Sequence, residues 1–291
     1  MRSEVELSLP GPGGIHQVAQ VQQTRFALNH MAAPRLDFDR FFALSAALGC
    51  TDVEIRNDIA GQAMLDGTSP DLIRVAAARH GQKILTINAL QRFNDWSPTR
   101  ASEAEVLAKA CARTGAAALI LVPKNDGTGC GDGERKTNLA AALRGLAPIL
   151  ARHGIMGYVE PLGFEICSLR LKSEAAEVIH HLDLGDRFRL THDTFHHHLA
   201  AEATLFPDLT GLIHISGVTD PGIATADMRD HHRVLVDGHD RIGNLTQIRA
   251  LQAAGVTAAC SFEPFAASVH DSATLQGDLS ASMTYIRKAL A

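Results

Sequence analysis

Short apolar runs, many of them β-branched, alternate along the chain with longer stretches in which apolar residues recur at helical spacing. A short apolar run bounded by Gly, Pro or Asn reads as a buried strand. Recurrence every three to four residues reads as an amphipathic helix. Strands are predicted at Phe26–Leu28, Asp52–Ile55, Ile84–Asn88, Ala118–Val122, Gly157–Glu160, Phe188–Thr191, Leu212–Ile215 and Ala258–Phe262. Helical segments include Asp39–Leu48, Pro70–His80, Glu103–Thr114, Thr137–His153 and Asn244–Ala254, each followed by a Gly. Gly ends helices well because it takes the left-handed conformation without steric cost.

Eight such units, about thirty residues apart, imply parallel βαβ crossovers, and eight is the number that closes a (β/α)8 barrel. The competing open, doubly wound sheet would carry a GxGxxG turn after its first strand. Here that place reads Asn29–His30–Met31–Ala32–Ala33–Pro34. The expected fold class is therefore α/β, a single TIM barrel over residues 24–291. Residues 1–23, rich in Gly, Pro, Gln and Ser and without a period, form a short irregular N-terminal leader.

Composition narrows the function. With 291 residues, 46% of them hydrophobic and 20% charged, the chain can bury a large core. A net charge of −5 argues against a general nucleic-acid binder. No apolar run approaches membrane-spanning length, and the first residues lack the basic and apolar regions of a secretion signal. Five scattered cysteines without a CxxC pair fit reduced thiols, so a cytoplasmic location is expected.

The active site of such a barrel lies at the C-terminal ends of its strands. Those ends carry Asn29–His30, Glu54 and Arg56, Asn88, Lys124, Glu160, Asp193, His214 and Glu263. The last four residues, from four consecutive strands, stand out. Taken singly, each reads as a solvated or ion-paired strand end. Converging together, three carboxylates and an imidazole would repel one another and lose hydration. One divalent cation removes that penalty, and an oxygen-rich set with one nitrogen suits Mn²⁺, Mg²⁺, Co²⁺ or Zn²⁺.

The blocks Glu160–Pro161–Leu162–Gly163, Asp193–Thr194–Phe195–His196, His214–Ile215 and Ser261–Phe262–Glu263 resemble the metal stations of the xylose isomerase-like TIM-barrel family, across about residues 24–290. Within that family, Glu160–Pro161–Leu162–Gly163, Asp193–Thr194–Phe195–His196–His197–His198 and Arg233–Val234–Leu235 resemble the E-x-x-G block, the D-S-F-H-x-H block and the R-V loop of the 2-keto-myo-inositol (inosose) isomerases. The loop departs after Arg233–Val234–Leu235, continuing Val236–Asp237–Gly238 instead of the usual Pro-Gly, and it borders the substrate in the family.

The resemblance implies a metal-dependent sugar or inosose isomerase or epimerase, acting by proton transfer next to a carbonyl. Glu160, Asp193, His214 and Glu263 would hold the metal, with Glu160 and Glu263 also acting as acid/base partners. His196, Arg233, Lys124 and Arg56 would bind substrate, a sugar or cyclitol. No nucleic acid or membrane is expected as a partner, and the outer helices leave room for a homo-oligomer. Near alternatives are a ketose 3-epimerase and a hydroxypyruvate isomerase. An endonuclease IV-type phosphodiesterase would need further early ligands, for which only His30 and Glu54 are available. A non-catalytic sugar-binding barrel would not need the four-residue set.

In His196–His197–His198, His196 and His198 fit the family block, and His197 reads as a packed or exposed side chain. The Gly-rich segment 125–133 reads as a loop over the mouth, and Trp96 with Phe93 as pocket wall or core.

Overall fold

The computed structural model describes residues 24–59, 64, 67–131 and 133–291. The expected leader lies outside these residues.

The strands are β1 (Phe26–Asn29), β2 (Asp52–Arg56), β3 (Lys83–Gln91), β4 (Ala118–Val122), β5 (Met156–Val159), β6 (Phe188–Asp193), β7 (Thr210–Ile215) and β8 (Cys260–Phe262). They close in sequence order into one parallel barrel, with β1 paired to β8. Around it lie α1 (Phe38–Ala47), α2 (Pro70–Arg79), α3 (Pro98–Thr114), α4 (Glu134–His153), α5 (Lys172–His181), α6 (Thr194–Ala200), α7 (Asn244–Ala253), α8 (Ala267–His270) and α9 (Leu275–Leu290). None of the described helices is long and apolar enough to cross a membrane.

Strand alternation sorts the side chains into two compartments. Phe26, Leu28, Val53, Ile55, Ile213, Ile215, Cys260 and Phe262 belong to the large core between barrel and helices. Their alternates Ala27, Leu212 and Ala259 join Leu85, Ala89 and Ile120 in a smaller cluster that fills the barrel. Further along the same inward rows come Asn29, Glu54, His214 and Ser261, all buried and polar. The interior thus changes from apolar to polar along the strands, and the polar end is the C-terminal mouth.

Local chemistry sets the helix ends. Ser97 caps α3 by accepting from the Arg100 amide, with Pro98 in the first turn. This cap starts the helix before Glu103, where periodicity alone begins it. Gly115 and Gly154 close α3 and α4 in the left-handed conformation, as expected from the sequence. Trp96 packs half-buried against the core: its indole lies against Gly145 of α4, where a Cβ would come within 2.3 Å of the ring.

Candidate metal centre

Register brings the four predicted ligands together. Asp193 pairs with His214 across β6 and β7, and His214 pairs with Ser261 across β7 and β8. Glu263 stands one pleat beyond Ser261, and its amide donates to Ile215 O at 3.0 Å. Glu160 follows β5 and is held through its amide to Leu121 O at 3.1 Å.

The result is a buried cluster in which Glu160, Asp193, His214 and Glu263 each offer one ligand atom, all within 4.8 Å of one another. His214 Nδ1 lies 2.7 Å from Glu160 Oε1, 3.2 Å from Glu263 Oε2 and 3.9 Å from Asp193 Oδ2. The two Asp193 oxygens do different work. Oδ1 caps α6 by accepting from the Phe195 and His196 amides at 2.7 and 3.0 Å, leaving Oδ2 to face the cluster.

Two arginines border the carboxylates. Arg233 Nη2 donates to Asp193 Oδ2 at 2.6 Å and to Glu263 Oε2 at 2.9 Å, and its Nε donates to Ser216. Arg56 Nη1 donates to Glu263 Oε1 at 2.7 Å, while Asp58 takes its Nε and Nη2. Both guanidiniums lie near the Phe265 ring. From the sequence alone, Glu54 and Asp58 are equally placed to pair with Arg56. The structure gives Asp58, and adds Glu263.

The environment separates the two glutamates. Burial, together with the nearby Glu263 and Asp193 charges, pushes the Glu160 carboxyl up. Burial acts the same way on Glu263, but His214, Arg233 and Arg56 outweigh it and hold that carboxyl well below the usual range. His214 is also buried, which lowers its basicity, yet Glu263, Glu54 and Glu160 raise it well above an ordinary imidazole.

The donor set fits a divalent ion. Glu54, Glu160, Asp193 and Glu263 are buried carboxylates against the buried guanidiniums of Arg56 and Arg233. With His214 as the neutral imidazole that a metal ligand must be, two negative charges remain uncompensated among these buried groups. A dication held by three carboxylates and an imidazole nitrogen balances them, and this hard, mixed O/N set suits Mn²⁺, Mg²⁺, Co²⁺ or Zn²⁺.

A cavity of about 420 Å³ opens over the cluster, lined by Glu160, Glu263, Arg56, Arg233 and His196 among others. Lys124, expected to bind substrate, is not among the lining residues; its Nζ lies 3.6 Å from Asp95 and 4.0 Å from Asp126. Phe164, Asp230 and Phe265 also line the cavity. Sequence reasoning missed all three, although Phe164 directly follows the Glu160 block and Phe265 comes two residues after Glu263. The remaining histidines separate. His197 packs on His192, His198 is half-buried beside Thr225, and His30 stacks on Phe41 away from the ligands.

Gly163 explains the E-x-x-G block. A Cβ there would lie 2.1 Å from His196 O and 2.7 Å from Ala200 N, so only Gly lets the segment after Glu160 lie against α6.

A sequence model of the xylose isomerase-like TIM barrel matches residues 42–289. A search of curated proteins finds no match. Among solved structures, a xylose isomerase domain-containing protein from Salmonella typhimurium LT2 is 31% identical, with a TM-score of 0.83 over 92% of this chain and 98% of that one. The IolI protein with a bound zinc atom is 19% identical, with a TM-score of 0.76 over 91% and 96% of the two chains. D-psicose 3-epimerase with D-tagatose, from Clostridium cellulolyticum H10, is 15% identical, with a TM-score of 0.69 over 92% and 99%. The last two likenesses are of fold.

Proposed function

The chain belongs to the xylose isomerase-like TIM-barrel family, and on that premise we propose that it is a divalent-metal-dependent isomerase moving a carbonyl along a polyol or cyclitol of the inosose type. The observation that carries this reading is the convergence of Glu160, Asp193, His214 and Glu263 under an open cavity. The zinc in the IolI structure supports the same reading.

These four residues would hold the ion. Bound there, a divalent ion supplies Lewis-acid stabilisation to negative charge developing on the carbonyl and neighbouring hydroxyl oxygens. The protein side chains move the protons. Glu160 and Glu263 both line the cavity, and the formal charge of the three carboxylates exceeds that of a dication, so one of them keeps enough basicity to accept a proton. One glutamate removes the C–H proton next to the carbonyl, giving an enediolate. The other, protonated beforehand from solvent, returns its proton to the former carbonyl carbon, while the hydroxyl proton passes to the former carbonyl oxygen, and exchange with solvent resets the two glutamates. Atoms balance without any co-reactant.

Asp193 and His214 act as holding residues. His196, Arg233 and Arg56 line the cavity and bind substrate oxygens; Lys124 is not among the lining residues, so its substrate contact would come from beside the cavity. A ketose 3-epimerase would use the same groups and differ in where the second proton is delivered.

The test is a panel of inososes, ketoses and hydroxypyruvate, assayed in D₂O with Mn²⁺, Mg²⁺, Co²⁺ or Zn²⁺, with and without chelator. Chelator-sensitive turnover of an inosose, with deuterium beside the carbonyl, is the expected result. Turnover unaffected by chelator contradicts the reading. Product free of solvent deuterium, with a shielded base excluded, points to a hydride shift instead.

A further inference from the structure

Beneath the ligand cluster lies a fourth carboxylate, on a strand that supplies no ligand. Glu54 points inward from β2 and is fully buried. Its Oε1 accepts from Ser261 Oγ at 2.5 Å and Asn29 Nδ2 at 3.3 Å, and its Oε2 accepts from Thr86 Oγ1 at 2.7 Å. These donors come from β8, β1 and β3, so the carboxylate is clamped across the barrel interior. His214 Nε2 approaches it to 3.1 Å from both oxygens.

We propose that Glu54 is a positioning residue for metal binding, which acts through His214 and fixes the tautomer and ring orientation that turn Nδ1 toward Glu160, Asp193 and Glu263. The inference rests on the metal reading above. An imidazole that binds a metal is neutral: His214 would give up the Nδ1 proton that the surrounding carboxylates favour, keeping one N–H and one lone pair, and the partner of one nitrogen decides the state of the other. A fully buried carboxylate with no proton to give requires the N–H on Nε2. The lone pair is then on Nδ1, the atom 2.7 Å from Glu160 and 3.2 Å from Glu263.

Because Glu54 is clamped by three other donors, it cannot follow the ring, so the ring must follow it. The carboxylate also makes the imidazole a more basic donor, as outer partners of metal-bound histidines do. Glu54 is not itself in the ligand set, since the His214 ring stands between it and the cluster.

The experiment is calorimetric titration of Zn²⁺ and Co²⁺ into metal-stripped wild-type protein, Glu54→Gln, Glu54→Leu and the control Thr86→Val, with a thermal melt of each. Glu54→Gln keeps an acceptor for Nε2–H but loses the charge, and about 10-fold weaker binding is expected. Glu54→Leu loses both, and up to about 100-fold weaker binding is expected. Thr86→Val removes a hydrogen bond from the same carboxylate without touching His214. It should lower the melting temperature while leaving metal affinity within about 3-fold of wild type, a split that a merely structural Glu54 would not produce.

Equal affinity in wild type and Glu54→Gln overturns the inference and leaves the metal reading standing. Affinity falling as far in Thr86→Val as in Glu54→Gln also overturns it. Absence of binding by wild type removes the metal reading and the inference together. If Glu54→Leu does not fold, Glu54→Gln carries the comparison.

Discussion

Arg56, at the end of β2, and Glu263, one residue past β8, form a buried ion pair with Nη1 2.7 Å from Oε1. Both side chains are almost inaccessible, and Arg56 is further clamped by Asp58. Removing one member of a buried pair leaves the other charge uncompensated, at a cost of about 3–5 kcal/mol. Arg56→Met is therefore expected to lower stability by that order in urea unfolding. It should also reduce activity, because Glu263 loses the contact that orients one of its oxygens.

Gly163→Ala has no room. Its Cβ would collide with backbone atoms of His196 and Ala200, not with a side chain that can turn away. Overpacking of this kind costs about 1–3 kcal/mol. The expected outcome is a matching loss of stability and a raised KM, since shifting α6 displaces His196 from the cavity wall.

Lys172 predicts a pH dependence of stability. Burial pushes its ammonium down to about 8, and Nζ lies 2.8 Å from His192 Nδ1. Below about pH 8 both folded and unfolded chains carry the proton, and the folded state bears the cost of burying it. Between about pH 8 and about pH 10.4 the folded state releases the proton while the unfolded chain keeps it, so the cost fades as pH rises. The stability of wild type relative to Lys172→Met should therefore rise by about 3 kcal/mol across that window. A difference that is flat with pH would refute the assignment.

The thiols should react unequally. Burial raises Cys50 and Cys167 to about 11 and Cys260 to about 12, and Cys111 is also raised by burial. Cys130 is the half-buried one. Ellman's reagent at pH 8 should label Cys130 quickly in the folded protein, and the other four only after denaturation.

The barrel and the convergence of Glu160, Asp193, His214 and Glu263 were legible because both follow local periodicity. Once β7 reads Leu-Ile-His-Ile, alternation puts His214 on the face opposite Ile213 and Ile215. Strand ends then name the mouth residues. Capping and long-range pairing were not legible in the same way. The Ser97 cap lengthens α3, and α6 and α8 are too short to show a period. Glu54 could be read as inward-facing, but its contact with His214 spans 160 residues of sequence. Likewise, nothing local to Arg56 indicates that Glu263 rather than Glu54 takes its Nη1.

The most direct measurement is metal content after equilibrium dialysis against Mn²⁺, Co²⁺ or Zn²⁺, for wild type, Asp193→Asn and His214→Ala. About one ion per wild-type chain, lost from both variants while they remain folded by circular dichroism, is the expected result. A wild-type chain that retains no ion, or variants that retain as much as wild type, would contradict the account.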